Sequence, residues 1–387
     1  MSDLDQNAAA LATVLSSVLA DEHGAITPPI VQSSLFAFED YQAFEDRMAG
    51  RSERPIYTRV QNPTVAAFEG LMAQAEHGAA AVGFASGIAA ISSTLLAFLQ
   101  PGDRVACVEH VYPDTYRFME LMLRPFGVQV SYHSVAAFET DANLLEGVKL
   151  AYLESPNSVV FQPMNLMQVA EHARRHGVLT LIDNSWASPV FQNPIDLDID
   201  IVVHSASKYI SGHSDTVAGV TIAAEEHIAR IRDLTLPLLG AKLAPFEAFL
   251  LTRGLRSLPA RMAQHQATAN LFVDRLAGLS QVRKINSPGA NDVPGLRGRT
   301  GLMSVEFDDS VDIAKFSDNL KHFRLGVSWG GFESLVLPAR VGLAQAGEKN
   351  SMQHFGVSPN LVRLNLGLED AEDLWADFTN ALRISVA

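Results

Sequence analysis

The sequence predicts an α/β protein in which a mostly parallel sheet is flanked by helices and is followed by a smaller α/β C-terminal domain. From residue 79 onward, short apolar runs alternate with stretches of helical periodicity, as in repeated βα units. After Leu234 the composition changes to a long helical stretch, followed by separate strand-like runs. The 387 residues, 48% of them hydrophobic and 19% charged, are enough for two or three domains with ample cores.

Local patterns predict each element in turn. Residues 8–20 are mildly apolar and predict a helix, whereas 26–30 contain two adjacent prolines and must be extended. Short apolar runs predict strands that are buried on both faces of a sheet, with amphipathic or apolar helices between them. The predicted strands are 79–84, 104–108, 128–132, 148–153, 178–182, 199–203 and 217–223, and the predicted helices are 88–99, 114–123 and 166–176.

Three regions follow from this order of elements. We expect an N-terminal arm over 1–55, a large domain over 56–238 and a small α/β domain over 239–387. The small domain begins with a mostly helical stretch, and its two predicted strands follow a loop rich in Gly, Pro, Asn and Arg. The helical stretch is 238–279, the loop is 287–300, and the strands are 301–307 and 361–366.

The charge and cysteine content exclude several classes of function. The formal net charge is -14 and no basic cluster stands out, so we expect no nucleic acid and no membrane surface as a partner. Cys107 is the single cysteine, which excludes an intrachain disulfide and a cysteine-based metal site. The N-terminus carries Asp3 and Asp5 where a signal peptide would have basic residues. We therefore expect a cytoplasmic protein.

Polar residues that could hold a ligand follow the predicted strands, and ligands of such sheets bind at the carboxyl ends of the strands. Ser86 and Gly87 open an apolar helix, where free N–H groups can bind phosphate. Asp183 ends one strand, and Lys208 follows another beside Ser205 and Ser207. Alone, these residues would be an N-cap serine, a turn aspartate and a surface lysine. Together, an anion site, a carboxylate and a partly desolvated amine are what pyridoxal phosphate (PLP) requires.

Longer motifs make the chain similar to a known family. From about residue 26 to the end it resembles the Cys/Met-metabolism family of PLP enzymes, which have the fold type I, PLP-dependent transferase-like architecture. The motifs that carry this resemblance are His204-Ser-Ala-Ser-Lys-Tyr-Ile-Ser-Gly-His-Ser-Asp215, Tyr57-Thr-Arg-Val-Gln-Asn-Pro-Thr64, Leu251-Thr-Arg-Gly-Leu-Arg-Ser-Leu258 and Ser328-Trp-Gly-Gly-Phe-Glu-Ser334.

The resemblance implies how PLP would be held. Lys208 would form the Schiff base with the cofactor, and Asp183 would pair with its pyridine nitrogen. The phosphate would accept hydrogen bonds from backbone N–H groups and from hydroxyl groups. Those N–H groups belong to Gly87 and Ile88, and the hydroxyl groups belong to Ser205 and Ser207, where family members usually have threonine at position 207.

The resemblance also implies roles outside the phosphate site. Tyr57 and Arg59 would reach the phosphate of a neighbouring subunit, so the active unit would be at least a dimer, within a homo-oligomer that is commonly a tetramer. Tyr112 would stack on the cofactor ring. Arg363 would hold the α-carboxylate of a sulfur amino acid substrate in a two-pronged pair, helped by Ser328.

Two details favour the β-lyase branch of the family, which cleaves L-cystathionine to homocysteine, pyruvate and ammonia. Trp329 stands where γ-acting members usually have leucine, and Ser158 stands where many of them have asparagine. The run 363–370 also resembles the bacterial β-lyases, whereas the Asn-Pro-Thr ending of 57–64 is common among γ-acting members. We expect Lys208 to be the general base, with Tyr112 and Tyr57 assisting.

Several alternatives remain open at this point. The chain could be a γ-acting member of the family, either a γ-lyase or a transferase that carries out γ-replacement on an activated homoserine. A nicotinamide oxidoreductase is disfavoured because no Gly-x-Gly-x-x-Gly follows a strand. A binding protein that kept only the fold is disfavoured by the intact lysine, aspartate and arginine. His172 and His176 are expected on a solvated helix face, and we expect no metal site.

Overall fold

The computed structural model describes residues 3–17 and 24–386. Helix α1 spans Asp3–Leu15, and its Leu11 and Leu15 are buried in the core. The predicted helix 8–20 therefore ends early, at two serines whose hydroxyls compete for backbone hydrogen bonds, and its residues 18–20 lie outside the described part. The predicted arm, residues 1–55, also contains a second, unpredicted helix, α2 (Tyr41–Met48), which begins at the N-cap Asp40.

A seven-stranded sheet forms the centre of the first half of the chain. Its order is β1-β7-β6-β5-β4-β2-β3, and only β7 runs antiparallel to its neighbours. The strands other than β3 are short, largely apolar runs, as the sequence predicted, whereas β3 at the edge of the sheet contains Gln129, Ser131 and His133. The mostly parallel α/β architecture is confirmed. The strands are β1 (Ala80–Phe84), β2 (Arg104–Val108), β3 (Gln129–His133), β4 (Leu150–Glu154), β5 (Leu179–Asp183), β6 (Ile201–His204) and β7 (Gly219–Ala223).

Helices cover both faces of this sheet and bury an apolar cluster on each side. The predicted helix 114–123 is split into α5 and a π-helical turn at Met119–Leu123. The helices are α3 (Pro63–Ala75), α4 (Gly87–Phe98), α5 (Pro113–Phe118), α6 (Val135–Thr140), α7 (Leu166–His176), α8 (Ser188–Phe191), α9 (Glu225–Asp233) and α10 (Thr235–Leu239), with a 3-10 turn at Pro194–Leu197.

Helix α7 shows where the prediction of a solvated histidine face was wrong. His172 is only 6% exposed, and its Nδ1 lies 3.1 Å from the carbonyl oxygen of Phe138. His176 is partly buried, with its Nε2 2.7 Å from the carbonyl oxygen of Ala142. Helix α6 and the turn after it cover this side of α7, which the periodicity of α7 alone does not reveal.

A second sheet of five strands follows the 32-residue helix α11 (Pro245–Leu276). Its order is β10-β11-β12-β9-β8, and its apolar face packs on α11 and the C-terminal helix. The division of the chain at residue 239 stays a prediction. The strands are β8 (Val282–Asn286), β9 (Leu302–Phe307), β10 (Arg324–Leu325), β11 (Leu335–Pro338) and β12 (Leu361–Asn365), and the helices are α12 (Ile313–Asn319), α13 (Ala339–Leu343), α14 (Ser351–His354) and α15 (Ala371–Ser385).

The two sheets meet at the predicted ligand site. The carboxyl ends of β4, β5 and β6 lie together at one edge of the large sheet, and a loop from the second sheet, residues 326–334, reaches that edge. Within residues 3–17 and 24–386, no helix is both long and apolar enough to span a membrane.

Candidate active site

Lys208 lies in the turn that follows β6, and the loop of the second sheet closes over it. Its Nζ donates a hydrogen bond to Ser328 Oγ at 2.8 Å and lies 5.4 Å from the centre of the Trp329 ring. Burial, with a smaller contribution from the Arg363 guanidinium, lowers the pKa of Lys208 to about 8, and Asp183 opposes both effects. An amine that loses its proton near neutral pH is a competent nucleophile and base.

The approach of the loop to Lys208 depends on a glycine. Gly330 has φ +82, and a Cβ atom on it would lie 2.9 Å from Tyr209 N and 3.1 Å from the Lys208 carbonyl carbon. The Gly330 N–H donates to Asn365 Oδ1 at 2.9 Å, which fixes the loop to β12. The backbone turn that presents Ser328 and Trp329 therefore requires glycine both for its φ and for the close contact.

Asp183 ends β5, as the sequence predicted, and is 8% exposed. Its Oδ1 accepts a hydrogen bond from Ser185 N–H at 2.9 Å. Burial raises the pKa of this carboxyl group, while Ser185, His204 and Lys208 act in the opposite direction. A buried carboxylate that faces the same space as Lys208 can hold a cationic ring nitrogen.

Glu154 is a site residue that the sequence analysis missed. It ends β4 and is the register partner of Asp183 on β5. Its Oε2 accepts the Tyr112 N–H at 2.8 Å, and its Oε1 lies 2.6 Å from Ser158 Oγ. The signal was present in the sequence, since Glu154 closes an apolar strand in the same way as Asp183 does.

The predicted phosphate site is formed where α4 begins. Ser86 is the N-cap and accepts the Ala89 N–H at 3.1 Å, while Gly87 and Ile88 lie in the first turn, whose N–H groups have no intrahelical acceptor. A Cβ on Gly87 would lie 2.7 Å from both Cβ and Oγ of Ser205, so the cradle between α4 and the lysine turn exists only with glycine.

Ser207 is placed differently from Ser205. Its hydroxyl oxygen accepts the Ala218 N–H at 2.9 Å and donates to the Ala218 carbonyl at 3.2 Å. The hydroxyl therefore ties the lysine turn to the start of β7. One lone pair of this oxygen remains for a further donor, and its proton is directed at Ala218.

Tyr112 and Arg363 both lie near the site: Arg363 acts electrostatically on Lys208, and Asp183 acts on Tyr112. Tyr112 is 39% exposed and its hydroxyl donates to Asp114 Oδ2 at 3.1 Å. Arg363 donates to the carbonyl oxygens of Val327 and Ser328, and no described carboxylate lies within ion-pair distance of it. Burial lowers the pKa of Arg363 to about 10, and the guanidinium is thus an unpaired cation available to a carboxylate ligand.

Tyr57 and Arg59 are not brought to Lys208 within the described chain. Arg59 donates to the Pro237 carbonyl at 2.8 Å and lies 5.6 Å from the Tyr57 ring, and Tyr57 is 45% exposed. Large apolar side chains are also exposed on the same arm and on the segment near Pro237: Ile26, Leu35, Tyr41, Met48, Leu238 and Leu239.

The arrangement of these residues fits PLP. The glycine-dependent cradle at Gly87 accepts an anion, Asp183 supplies a buried carboxylate, and Lys208 supplies an amine with a lowered pKa. The unpaired Arg363 guanidinium completes a site for an amino acid bound to that cofactor.

Comparisons with known proteins agree with this geometry. L-methionine γ-lyase of Pseudomonas putida is 34% identical over 375 residues, covering 94% of each chain. Cystathionine β-lyase of Lactococcus lactis subsp. cremoris is 32% identical over 367 residues, covering 93% of this chain and 94% of that protein. The crystal structure of cystathionine γ-lyase from Lactobacillus plantarum complexed with L-serine superposes with a TM-score of 0.88 at 30% identity, covering 97% of this chain and 99% of that one.

These similarities confirm the fold type I architecture and the dependence on PLP that the sequence predicted, and they indicate a lyase. The family profile described as Cys/Met metabolism PLP-dependent enzyme matches residues 12–383, almost the whole described chain. The chain belongs to the Cys/Met-metabolism family of PLP-dependent enzymes, and it is a PLP-dependent lyase.

Proposed function

We propose that the enzyme is a cystathionine β-lyase, which cleaves L-cystathionine to homocysteine, pyruvate and ammonia. The observation that carries this proposal is the position of Trp329, whose ring lies 5.4 Å from Lys208 Nζ beside the Ser328 hydroxyl. The indole fills the space next to the amine where γ-acting relatives usually carry the smaller leucine. We infer that it confines the reaction to Cα and Cβ of the substrate.

The cofactor site follows from the geometry described above. Lys208 would hold the aldehyde carbon of PLP, Asp183 the pyridine nitrogen, and the N–H groups of Gly87 and Ile88 the phosphate, with the Ser205 hydroxyl. Ser207 would contribute its free lone pair only to a protonated phosphate oxygen, unless its hydroxyl turns away from Ala218. When bound, PLP withdraws electrons from the Cα atom of an attached amino acid.

The chain's own residues would then control the proton transfers. The Arg363 guanidinium binds the substrate α-carboxylate, and the Ser328 hydroxyl orients the Lys208 amine. The neutral amine of Lys208 accepts the α-proton as general base, which its lowered pKa favours. The thiolate that leaves from Cβ receives a proton from Lys208 or from the Tyr112 hydroxyl.

The arm supports the proposal of a homo-oligomer. Tyr57 and Arg59 are exposed, as are large apolar side chains on the predicted arm and near Pro237. Exposed apolar side chains in such number favour burial against a partner. We infer that Tyr57 and Arg59 reach the phosphate site of a second copy and that two such active dimers form a homotetramer. Light scattering of the purified protein tests the oligomer by measuring its mass, which should be that of a tetramer. Arg59→Ala is a second test, since this variant should bind PLP more weakly. We also propose a cytoplasmic location.

A γ-elimination is the second candidate, because the relative with 34% identity is a methionine γ-lyase. Such a reaction also requires removal of a proton from Cβ by the same base. Incubation of the purified holoenzyme with L-cystathionine separates the candidates. Pyruvate with homocysteine supports the β-lyase, 2-oxobutyrate with cysteine contradicts it in favour of a γ-lyase, and neither product indicates γ-replacement with a second substrate.

A further inference from the structure

Two carboxyl groups lie side by side at the carboxyl ends of β4 and β5. Glu154 and Asp183 are register partners, and each is only 8% exposed. Buried carboxyl groups in such proximity do not both ionise unless cations compensate them, because each charge raises the cost of the other. In the described chain, no lysine or arginine lies within ion-pair distance of Glu154.

The neighbours of Glu154 and those of Asp183 differ in how far they stabilise a negative charge. Tyr152 on the same strand and Cys107 on β2 are buried and uncharged, and Tyr112 offers only its backbone N–H. By contrast, His204 and Lys208 act on Asp183 together with the Ser185 N–H. The surroundings therefore favour an anion at Asp183, whereas no lysine or arginine in the described chain compensates an anion at Glu154.

We propose that Glu154 is a positioning residue that carries the proton of this carboxyl pair, donating it from Oε1 to Ser158 Oγ while Oε2 accepts the Tyr112 N–H. The backbone N–H can only donate, so Oε2 must be the acceptor and the proton belongs on Oε1. This inference rests on the proposed function, since it assigns Asp183 to the cofactor nitrogen and Tyr112 to the cofactor ring.

The electrostatics agree with the geometry. Burial, with a smaller contribution from the neighbouring Asp183, raises the pKa of Glu154 to about 8. The Tyr112 backbone N–H acts in the opposite direction, as the Ser158 hydroxyl does when it donates to the ionised carboxylate. Neutral Glu154 leaves Asp183 as the single anion that faces the ring nitrogen. It also anchors Tyr112 at the start of α5 through a bond that does not depend on a charge.

Infrared spectroscopy of the holoenzyme tests the proposal directly. A buried protonated carboxyl group has a carbonyl stretch that carboxylates lack, so a band should be present at pH about 6 and lost by about 10. The band should be missing in Glu154→Gln and shifted in Ser158→Ala, which removes the acceptor of the proton. No such band in the wild type, or a band that neither variant changes, overturns the proposal.

Cofactor affinity gives a second measurement, because glutamine is neutral and can make both bonds of a protonated Glu154. Glu154→Gln should keep the PLP dissociation constant within about threefold of the wild type, whereas Asp183→Asn should weaken it about tenfold or more. Equal losses in both variants overturn the proposal, because Glu154 would then act as an anion. If Glu154→Gln does not fold, the response of the wild-type band to Ser158→Ala decides alone. Unchanged affinity in Asp183→Asn would instead contradict the cofactor assignment, not the state of Glu154.

Discussion

Substitution of Gly330 by alanine tests whether the loop of the second sheet sets the environment of Lys208. The new Cβ would lie 2.9 Å from Tyr209 N, closer than real Cβ atoms come to other atoms, and 3.1 Å from the Lys208 carbonyl carbon, which is tighter than most Cβ contacts. Both contacts are with backbone atoms, which cannot rotate away. The loop must therefore retreat, and the Ser328 hydroxyl and the Trp329 ring retreat from Lys208 with it.

The expected cost has two parts. A left-handed φ costs an alanine about 1–2 kcal/mol relative to the right-handed region, and overpacking adds about 1–3 kcal/mol. Gly177 offers a matched control, since its φ is +64 and a Cβ on it would have no neighbour within 4 Å. Gly177→Ala should show only the first part, so Gly330→Ala should lose about 1–3 kcal/mol more of the free energy of unfolding.

Denaturant unfolding and steady-state kinetics on both variants provide the assay. Because small misplacements of catalytic groups are costly, we expect kcat/KM to fall about tenfold or more in Gly330→Ala. Gly177→Ala should leave kcat/KM unchanged, since Gly177 precedes the amino end of β5, whereas Lys208 follows the carboxyl end of the parallel strand β6. Equal stability losses and equal kinetics in the two variants would refute the reasoning.

Three further predictions concern single side chains. Arg363→Ala should lower kcat/KM on L-cystathionine about 100-fold, because it removes the charged pair with the substrate carboxylate, and Arg363→Lys should have an intermediate kcat/KM. Equal kinetics for Arg363→Ala and the wild type would contradict the assigned carboxylate site. Trp329→Leu should raise the ratio of 2-oxobutyrate to pyruvate, and an unchanged ratio would remove the argument for β-elimination. For Lys208, the folded-state pKa of about 8 lies below the ordinary 10.5, so the unfolded chain binds more protons between these values. Apo wild-type protein should therefore gain stability relative to Lys208→Met as the pH rises through that window; parallel pH profiles would show that the amine is not desolvated.

The sequence was most informative where polar residues end apolar strands. Asp183 was recognisable because it ends a buried strand, and Lys208 because it lies in the turn just after one. The parallel order of the strands places such residues together at the end of the sheet where ligands bind. Glu154 also ends a buried strand, so the same reasoning identifies it as a site residue, although the sequence analysis did not include it. The missed strands of the second sheet include Arg324–Leu325, two exposed residues, and Val282–Asn286, whose exposed charges hide the period of the strand.

Contacts between distant segments lay beyond local patterns. The hydrogen bond between Lys208 and Ser328 joins residues 120 positions apart, and the need for glycine at 330 appears only when the loop meets the lysine turn. The burial of His172 has the same origin, because α6 covers a helix face that its own periodicity marks as polar. Local periodicity reports which face of an element is apolar, but not which neighbour covers the remainder.

The attachment of PLP to Lys208 is the central claim, and borohydride reduction of the yellow holoenzyme tests it most directly. Reduction fixes the cofactor on the lysine that holds it, and peptide mass mapping then identifies that residue. The account predicts a single modified peptide that contains Lys208, with no modification in Lys208→Ala. An adduct on another lysine, or a yellow and active Lys208→Ala variant, would contradict it.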